Sequence, residues 1–178
     1  HKNEPIRRLL CSGVSQRRAA RILKVNRKTV VRKMRFLAKR AEFELREQNL
    51  QKPKCRIIEF DDLETFEHTK YKPLSVTLAV EHKTRRILGF EVSQMAAKGL
   101  LSKNALKKYG YRRDFRGKGR QKLFKNIREL VAENAIIKSD SNPYYCNDVR
   151  KYFPGSLHIA YKGQRGAITG QGELRSEE

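Results

Sequence analysis

Apolar residues recur along this chain with two different periods, and the change of period falls near residue 55. In the first stretch, "EPIRRLLCSG" carries Ile6, Leu9 and Leu10 ahead of Gly13, the spacing of a short amphipathic helix with a stop. "SQRRAARILKV" follows, with Ser15 placed to cap a second helix and Ala19, Ala20, Ile22 and Leu23 on its apolar side. In "VNRKTVVRKMRFLAKRAEFEL", Asn26 is the cap and Val30, Met34, Leu37, Ala41 and Leu45 recur at helical spacing. "REQNLQKPK", with Pro53, breaks this third helix. From Cys55 onward the period becomes two. "CRIIEFDDL" reads as a strand, and "PLSVTLAVE" sets Leu74, Val76, Leu78 and Val80 against Ser75, Thr77 and Ala79. "RILGFEVSQ" is the next strand of an antiparallel meander.

Between Lys103 and Lys125 lie ten Lys or Arg and one acid, Asp114, broken by Gly110, Gly117 and Gly119 and interleaved with Tyr109, Tyr111 and Phe115. This composition predicts a mobile loop that orders on nucleic acid. A helix follows, with Leu123, Phe124, Ile127, Leu130 and Val131 on one side. Then come a short buried strand, "AIIKSD", a helix beginning near Pro143, and a last strand, "LHIAY". The tail from Lys162 is Gly-rich and has no clear period. The predicted order is strand, strand, strand, helix, strand, helix, strand, preceded by three helices. The reading is an α/β chain with a small all-α domain over residues 1–48, a linker over 49–54 and a mixed-sheet domain over 55–178.

Charge narrows the class of partner. The chain has 41 Lys and Arg against 19 Asp and Glu, a formal charge of +22. A field of that size suits a chain whose partner is a polyanion. No apolar run approaches the length of a membrane span and no lipidation signal is visible, so nucleic acid is preferred to a membrane. Cys11, Cys55 and Cys146 are odd in number and far apart, which predicts neither a zinc site nor a disulfide framework and fits a reducing, cytoplasmic setting.

Residues 1–40 hold 14 Lys or Arg and a single acid, Glu4. Two helices joined by the tight "LKVN" turn make a helix-turn-helix, with Ala20 small at the crossing, Val25 filling the turn and Val30 anchoring the second helix. The stretch "SQRRAARIL-KVN-RKTVVRKM" resembles the helix-turn-helix of resolvases, regulators and many transposases, in which the start of the second helix enters the major groove. Arg27, Lys28, Thr29, Arg32 and Lys33 are then the residues facing DNA, with Arg17 and Arg18 on the preceding helix. Arg112, Arg113, Arg116, Lys118 and Arg120 of the basic segment are further candidates.

The order of elements in the second domain is the ribonuclease-H-like order, in which the first and fourth strands lie parallel at the sheet centre. Asp61 and Asp62 then meet Asp140 across some 79 positions of chain. Like charges so gathered need a cation, and Mg²⁺ suits, being hard and oxygen-seeking. Strand alternation puts Phe60 and Asp62 on one face and Glu59 and Asp61 on the other, without deciding which aspartate is the ligand. Glu64 is a weaker candidate. His68 and His82 sit in or beside turns and are expected to be solvated, and His158 to be a core or edge histidine.

"FDDLETF", "RRILGFEV", "IIKSDSNPYY" and "FPGSLHIAYKG", taken in this order behind the helix-turn-helix, resemble the bacterial insertion-sequence transposases of the DDE class. The resemblance implies binding of double-stranded DNA, both terminal inverted repeats and target, and metal-dependent strand cleavage and strand transfer. It implies two Mg²⁺ or Mn²⁺ ions about 4 Å apart, Asp61 and Asp140 as metal ligands and Asp62 as the neighbouring acid. A homo-oligomer on DNA and a bacterial, nucleoid-associated location belong to the same expectation. The family's third acid lies on a helix after the fifth strand. Here Glu173, Glu177 and Glu178 are the only acids after Asp148, so the third ligand is expected at Glu173 or beyond residue 178. Alternative readings are a DNA-binding regulator with an inactive ribonuclease-H-like domain, or another ribonuclease-H-like nuclease or resolvase.

Overall fold

The computed structural model describes residues 2–162. The described residues fall into two compact units, one ending at Gln51 and the other beginning at Lys52.

The first unit is helical: α1 (Asn3–Cys11), α2 (Gln16–Ile22) and α3 (Arg27–Leu50). Ser15 caps α2, its hydroxyl accepting from the Arg18 N–H at 3.3 Å, and Asn26 caps α3, accepting from the Lys28 N–H at 2.8 Å. Each cap satisfies a donor that the first helical turn leaves unpaired. Ile6, Ala19, Ala20 and Val30 form a small buried core, with Leu9, Leu10, Val14, Leu23, Val25 and Leu37 packed around it. Lys24 has φ 52° in the turn between α2 and α3, a left-handed conformation that reverses the chain within three residues.

The second unit contains a five-stranded mixed sheet: β1 (Cys55–Phe66), β2 (Pro73–Glu81), β3 (Ile87–Gln94), β4 (Val131–Asp140) and β5 (Leu157–Tyr161). The spatial order is β3-β2-β1-β4-β5. β1 pairs antiparallel with β2 and parallel with β4, so the first and fourth strands are neighbours at the centre. Helices α4 (Leu101–Tyr109), α5 (Arg116–Ile127) and α6 (Tyr145–Tyr152) complete the unit. The core lies between the sheet and α5 and α6. Phe60 meets Phe124 edge-on at 4.9 Å and Tyr145 at 4.8 Å between ring centroids, each such pair adding about 0.5–1.5 kcal/mol to its burial. Ile58, Ala135, Ile137, Leu123, Ile127, Val149 and Phe153 fill the remaining space.

Two sequence expectations are corrected. The basic segment is not a loop: it contains α4, and α5 begins at Arg116 rather than after the glycines. The amphipathic pattern of α5 was hidden because its sheet-facing first turns use small residues. A Cβ on Gly119 would come within 1.9 Å of the Ser93 hydroxyl, and one on Gly89 within 3.0 Å of Leu123 and Ile127. The second correction concerns β2. Its wholly buried side is Ser75, Thr77 and Ala79, each 0% exposed, while Leu74, Val76, Leu78 and Val80 on the other side are only partly buried. The small residues face inward because α5 lies close against β2 and β3.

Candidate functional site

The parallel register of β1 and β4 pairs Ile58 with Ile137 and Glu59 with Lys138. Asp61 and Asp140 each lie two residues further along their strands. Strand alternation therefore puts both on one face, together with Glu59 and Lys138. Ile58 and Phe60, by contrast, point into the core shared with α5 and α6, and Asp62 follows them to that side. Register separates the two neighbours: Asp61 shares a face with Asp140 and Asp62 does not.

The electrostatics separate the two aspartates further. The Asp61 carboxyl is held above its ordinary pKa, first because surrounding protein removes part of its water although the residue stays exposed, and also by the charges of Asp140 and Asp62. The Asp62 N–H, donating to Asp61 Oδ1 at 2.7 Å, opposes this in part. Asp140 accepts from the Asn142 N–H at 3.1 Å, an Asx-type turn that fixes its carboxyl at the strand end. Among the described residues no cationic side chain pairs with either Asp61 or Asp140.

Asp62 is embedded in a neutralising network. It accepts from the Thr77 hydroxyl, lies 3.9 Å from the Arg120 guanidinium and interacts with the Tyr145 hydroxyl, whose pKa is raised by burial and then by Asp62. Arg120, 4% exposed, also grips Asp148 at 2.5–2.7 Å and lies over the Tyr145 ring at 4.8 Å. The expectation that Arg120 meets DNA is thereby corrected: its guanidinium is consumed in joining β1, α5 and α6. Arg112 is mostly covered and pairs with Glu67, and Arg116 pairs with Asp114. Arg113 and Lys118 remain exposed. In the helical unit Arg17, Arg18, Arg27, Lys28 and Arg32 are exposed, and Thr29 and Lys33 half-buried.

Glu64 is drawn into ion pairs with Lys98 and, at 3.8 Å, Arg116. His82 corrects another expectation. It is not solvated but pairs through Nδ1 with the buried Glu59 at 2.5 Å, beside Arg85 at 2.9 Å. Nothing in the local sequence marked this pair, because Glu59 and His82 meet only through the β1–β2 register. His158 is half-buried, its Nε2 2.9 Å from the Ser139 hydroxyl, and burial lowers its pKa. Tyr145 packs in the core, whereas Tyr144 is 70% exposed.

Mg²⁺ or Mn²⁺ suits the donor set of Asp61 and Asp140: hard carboxylate oxygens, mutually repelling and without a cationic partner. Among the described residues no group of three or more His, Cys, Asp or Glu is arranged to hold a metal ion. Glu173 lies outside the described residues. No described helix is long and apolar enough to cross a membrane. No protein-family model matches the chain, and no curated protein matches it.

Proposed function

We propose that the second unit is a ribonuclease-H-like polynucleotidyl transferase and that the chain is a transposase of the DDE class, acting in the cytoplasm at the bacterial nucleoid. The observation that carries this reading is the placement of Asp61 and Asp140 on one face of adjacent central strands. It is supported by the strand order β3-β2-β1-β4-β5, by the +22 charge, and by the capped helix pair α2–α3 with its exposed Arg27 and Lys28.

In this reading α2 and α3 form a helix-turn-helix that holds terminal-repeat DNA, and exposed cations bind its phosphates. Asp61 and Asp140 hold one or two divalent ions. When bound, such ions activate water or a 3′-hydroxyl and stabilise the oxygen that leaves phosphorus. Asp140 is aimed by the Asn142 N–H and Asp61 by the Asp62 N–H. Asp62, itself neutralised by Arg120 and Thr77, positions the strand end rather than binding metal. The reading calls for a third acidic ligand beside these two, and two copies are required to bring two DNA ends together.

The test is a Mg²⁺-dependent nicking and strand-transfer assay on supercoiled plasmid. Asp61→Asn and Asp140→Asn are expected each to reduce turnover by about a thousandfold or more, leaving DNA affinity unchanged. Equal metal-dependent activity in wild type and both variants would contradict the assignment. A second reading, a DNA-binding regulator with an inactive second unit, draws on the absence, among the described residues, of a group of three or more metal-binding side chains. It predicts DNA binding by wild type with no divalent-ion-dependent cleavage.

A further inference from the structure

A cavity of about 410 Å³ opens on the helix-covered side of the β1 end, rimmed by Asp62, the start of α5 and the start of α6. It falls within the range of small-molecule sites. The carboxylate pair faces the other side of the sheet, and Asn142 at the strand end connects the two: its N–H donates to Asp140, and it is part of the cavity wall.

The charges around this cavity are already satisfied. Arg116 is held by Asp114 through Nε at 3.0 Å and Nη2 at 2.7 Å. Arg120 is held by Asp148 and faces Asp62. Three carboxylates thus line the cavity against two guanidiniums, both engaged. A phosphate finds no uncommitted cation here, although the chain as a whole is strongly basic. What remains is neutral and directional. Asn147 is exposed on the first turn of α6, and Tyr144 presents its ring from the N-cap of that helix. Gln121 spends its amide N–H on Asp148 at 3.2 Å and keeps its carbonyl, while Asn142 spends its carbonyl on the Tyr144 N–H and keeps its amide N–H. A flat aromatic ring beside uncharged donors and acceptors is the chemistry that recognises a nucleobase by stacking and by its edge.

We propose that this cavity receives one unstacked nucleobase of the strand whose phosphate lies at Asp61 and Asp140, with Tyr144 as the stacking surface and Asn142, Asn147 and Gln121 reading its edge. The inference rests on the nucleic-acid reading above. It adds a specificity site for the nucleotide beside the scissile bond. Unstacking costs energy that a mismatched or terminal base does not incur, so the pocket favours frayed ends over continuous duplex.

The probe is a DNA duplex with one 2-aminopurine opposite an abasic site, and the readout is its fluorescence together with binding to an undamaged duplex of the same length. Wild type is expected to quench the probe by stacking. Tyr144→Ala is expected to lose the quenching and about 5- to 100-fold in affinity for the abasic duplex, with undamaged-duplex binding unchanged. Tyr144→Phe keeps both. Gly117→Leu is the independent variant. Gly117 lines the cavity and a Cβ there meets nothing within 4 Å, so a side chain starts there without a clash at Cβ and should abolish quenching by occupying the space, with an unchanged melting temperature checking that the fold is kept. Quenching that survives both Tyr144→Ala and Gly117→Leu overturns the inference, as does wild type that binds duplex without quenching. Wild type that binds neither DNA overturns the functional reading as well.

Discussion

Asp61 and Asp140 lie at the same level on adjacent parallel strands, each two residues beyond the Glu59–Lys138 pair. Asp62, one residue on, turns to the opposite face and into an Arg120–Asp148 network. Two adjacent acids therefore have separate surroundings, one facing another carboxylate and the other neutralised.

The raised pKa of Asp61 has a consequence for stability. An acid whose folded pKa exceeds its unfolded value favours the fold most at pH below the unfolded value, and that stabilisation is lost as pH rises through the folded pKa. At neutral pH the Asp61 charge therefore works against folding. Asp61→Asn is expected to raise the melting temperature at pH 7, and the gain should vanish as pH falls below the ordinary aspartate range near 4. Melting curves of both proteins at several pH values check this; a variant less stable than wild type at pH 7 contradicts it.

Divalent ions should reverse the same repulsion. Millimolar Mg²⁺ or Mn²⁺ is expected to raise the wild-type melting temperature by the linkage of binding to folding, about 2.7 kcal/mol at a hundredfold excess over Kd. The shift should disappear in Asp61→Asn/Asp140→Asn and persist in Asp62→Asn. Differential scanning calorimetry with and without the ion reads it directly.

Much of this was legible in the sequence, for identifiable reasons. Ser15 and Asn26 are caps by chemistry, and both cap the helices they precede. The order of elements along the chain followed from the alternation of short apolar runs and helices, and the pairing of the first and fourth strands from the likeness of that order to the ribonuclease-H-like one, with its crossover. Convergence of Asp61 with Asp140 followed from that order, but the choice between Asp61 and Asp62 needed register, which a single strand does not encode. The Glu59–His82 and Arg120–Asp148 pairs were hidden for the same reason: each joins residues 23 or 28 positions apart. Helix α5 was missed over its first turn because Gly117 and Gly119 read as breakers; Gly119 is there to admit the sheet, whereas a Cβ on Gly117 would meet nothing within 4 Å.

Arg120 should behave as a structural cation. Its guanidinium bridges Asp62 and Asp148 with almost no exposure. Removing one partner of a buried pair leaves uncompensated charge, at a cost of about 3–5 kcal/mol. Arg120→Met is expected to lower stability by that amount in urea denaturation, with Asp148→Asn restoring part of it. A variant that unfolds like wild type contradicts this assignment.

Arg27 and Lys28 are the converse case, exposed at the start of α3 and outside its core. Arg27→Ala/Lys28→Ala should leave the melting temperature unchanged. If each cation neutralises one phosphate, the slope of log affinity against log salt should fall by about 1.8. Titrations of labelled duplex at several salt concentrations measure it, and an unchanged slope removes α3 as the DNA-reading element.

The contact between Gly119 and Ser93 offers a test of how closely α5 approaches the sheet. A Cβ on Gly119 would lie 1.9 Å from the Ser93 Oγ and 3.3 Å from its Cβ. Alanine is ordinarily the better helix residue by roughly 0.5–1 kcal/mol, so a gain is expected wherever space exists. Here overpacking should outweigh it, at about 1–3 kcal/mol. Ser93 is 5% exposed, so its hydroxyl has little room to retreat. Removing that hydroxyl leaves the 3.3 Å contact with the Ser93 Cβ, which a shift of a few tenths of an ångström relieves, and a 3.4 Å contact with the Glu91 Cγ at ordinary van der Waals distance. Gly119→Ala should therefore destabilise the wild-type background and cost much less, or stabilise, in Ser93→Ala. A coupling of at least 0.5 kcal/mol in the double-mutant cycle is the expected result. Strict additivity would mean that helix and sheet lie further apart than the Ser93–Gly119 contact requires.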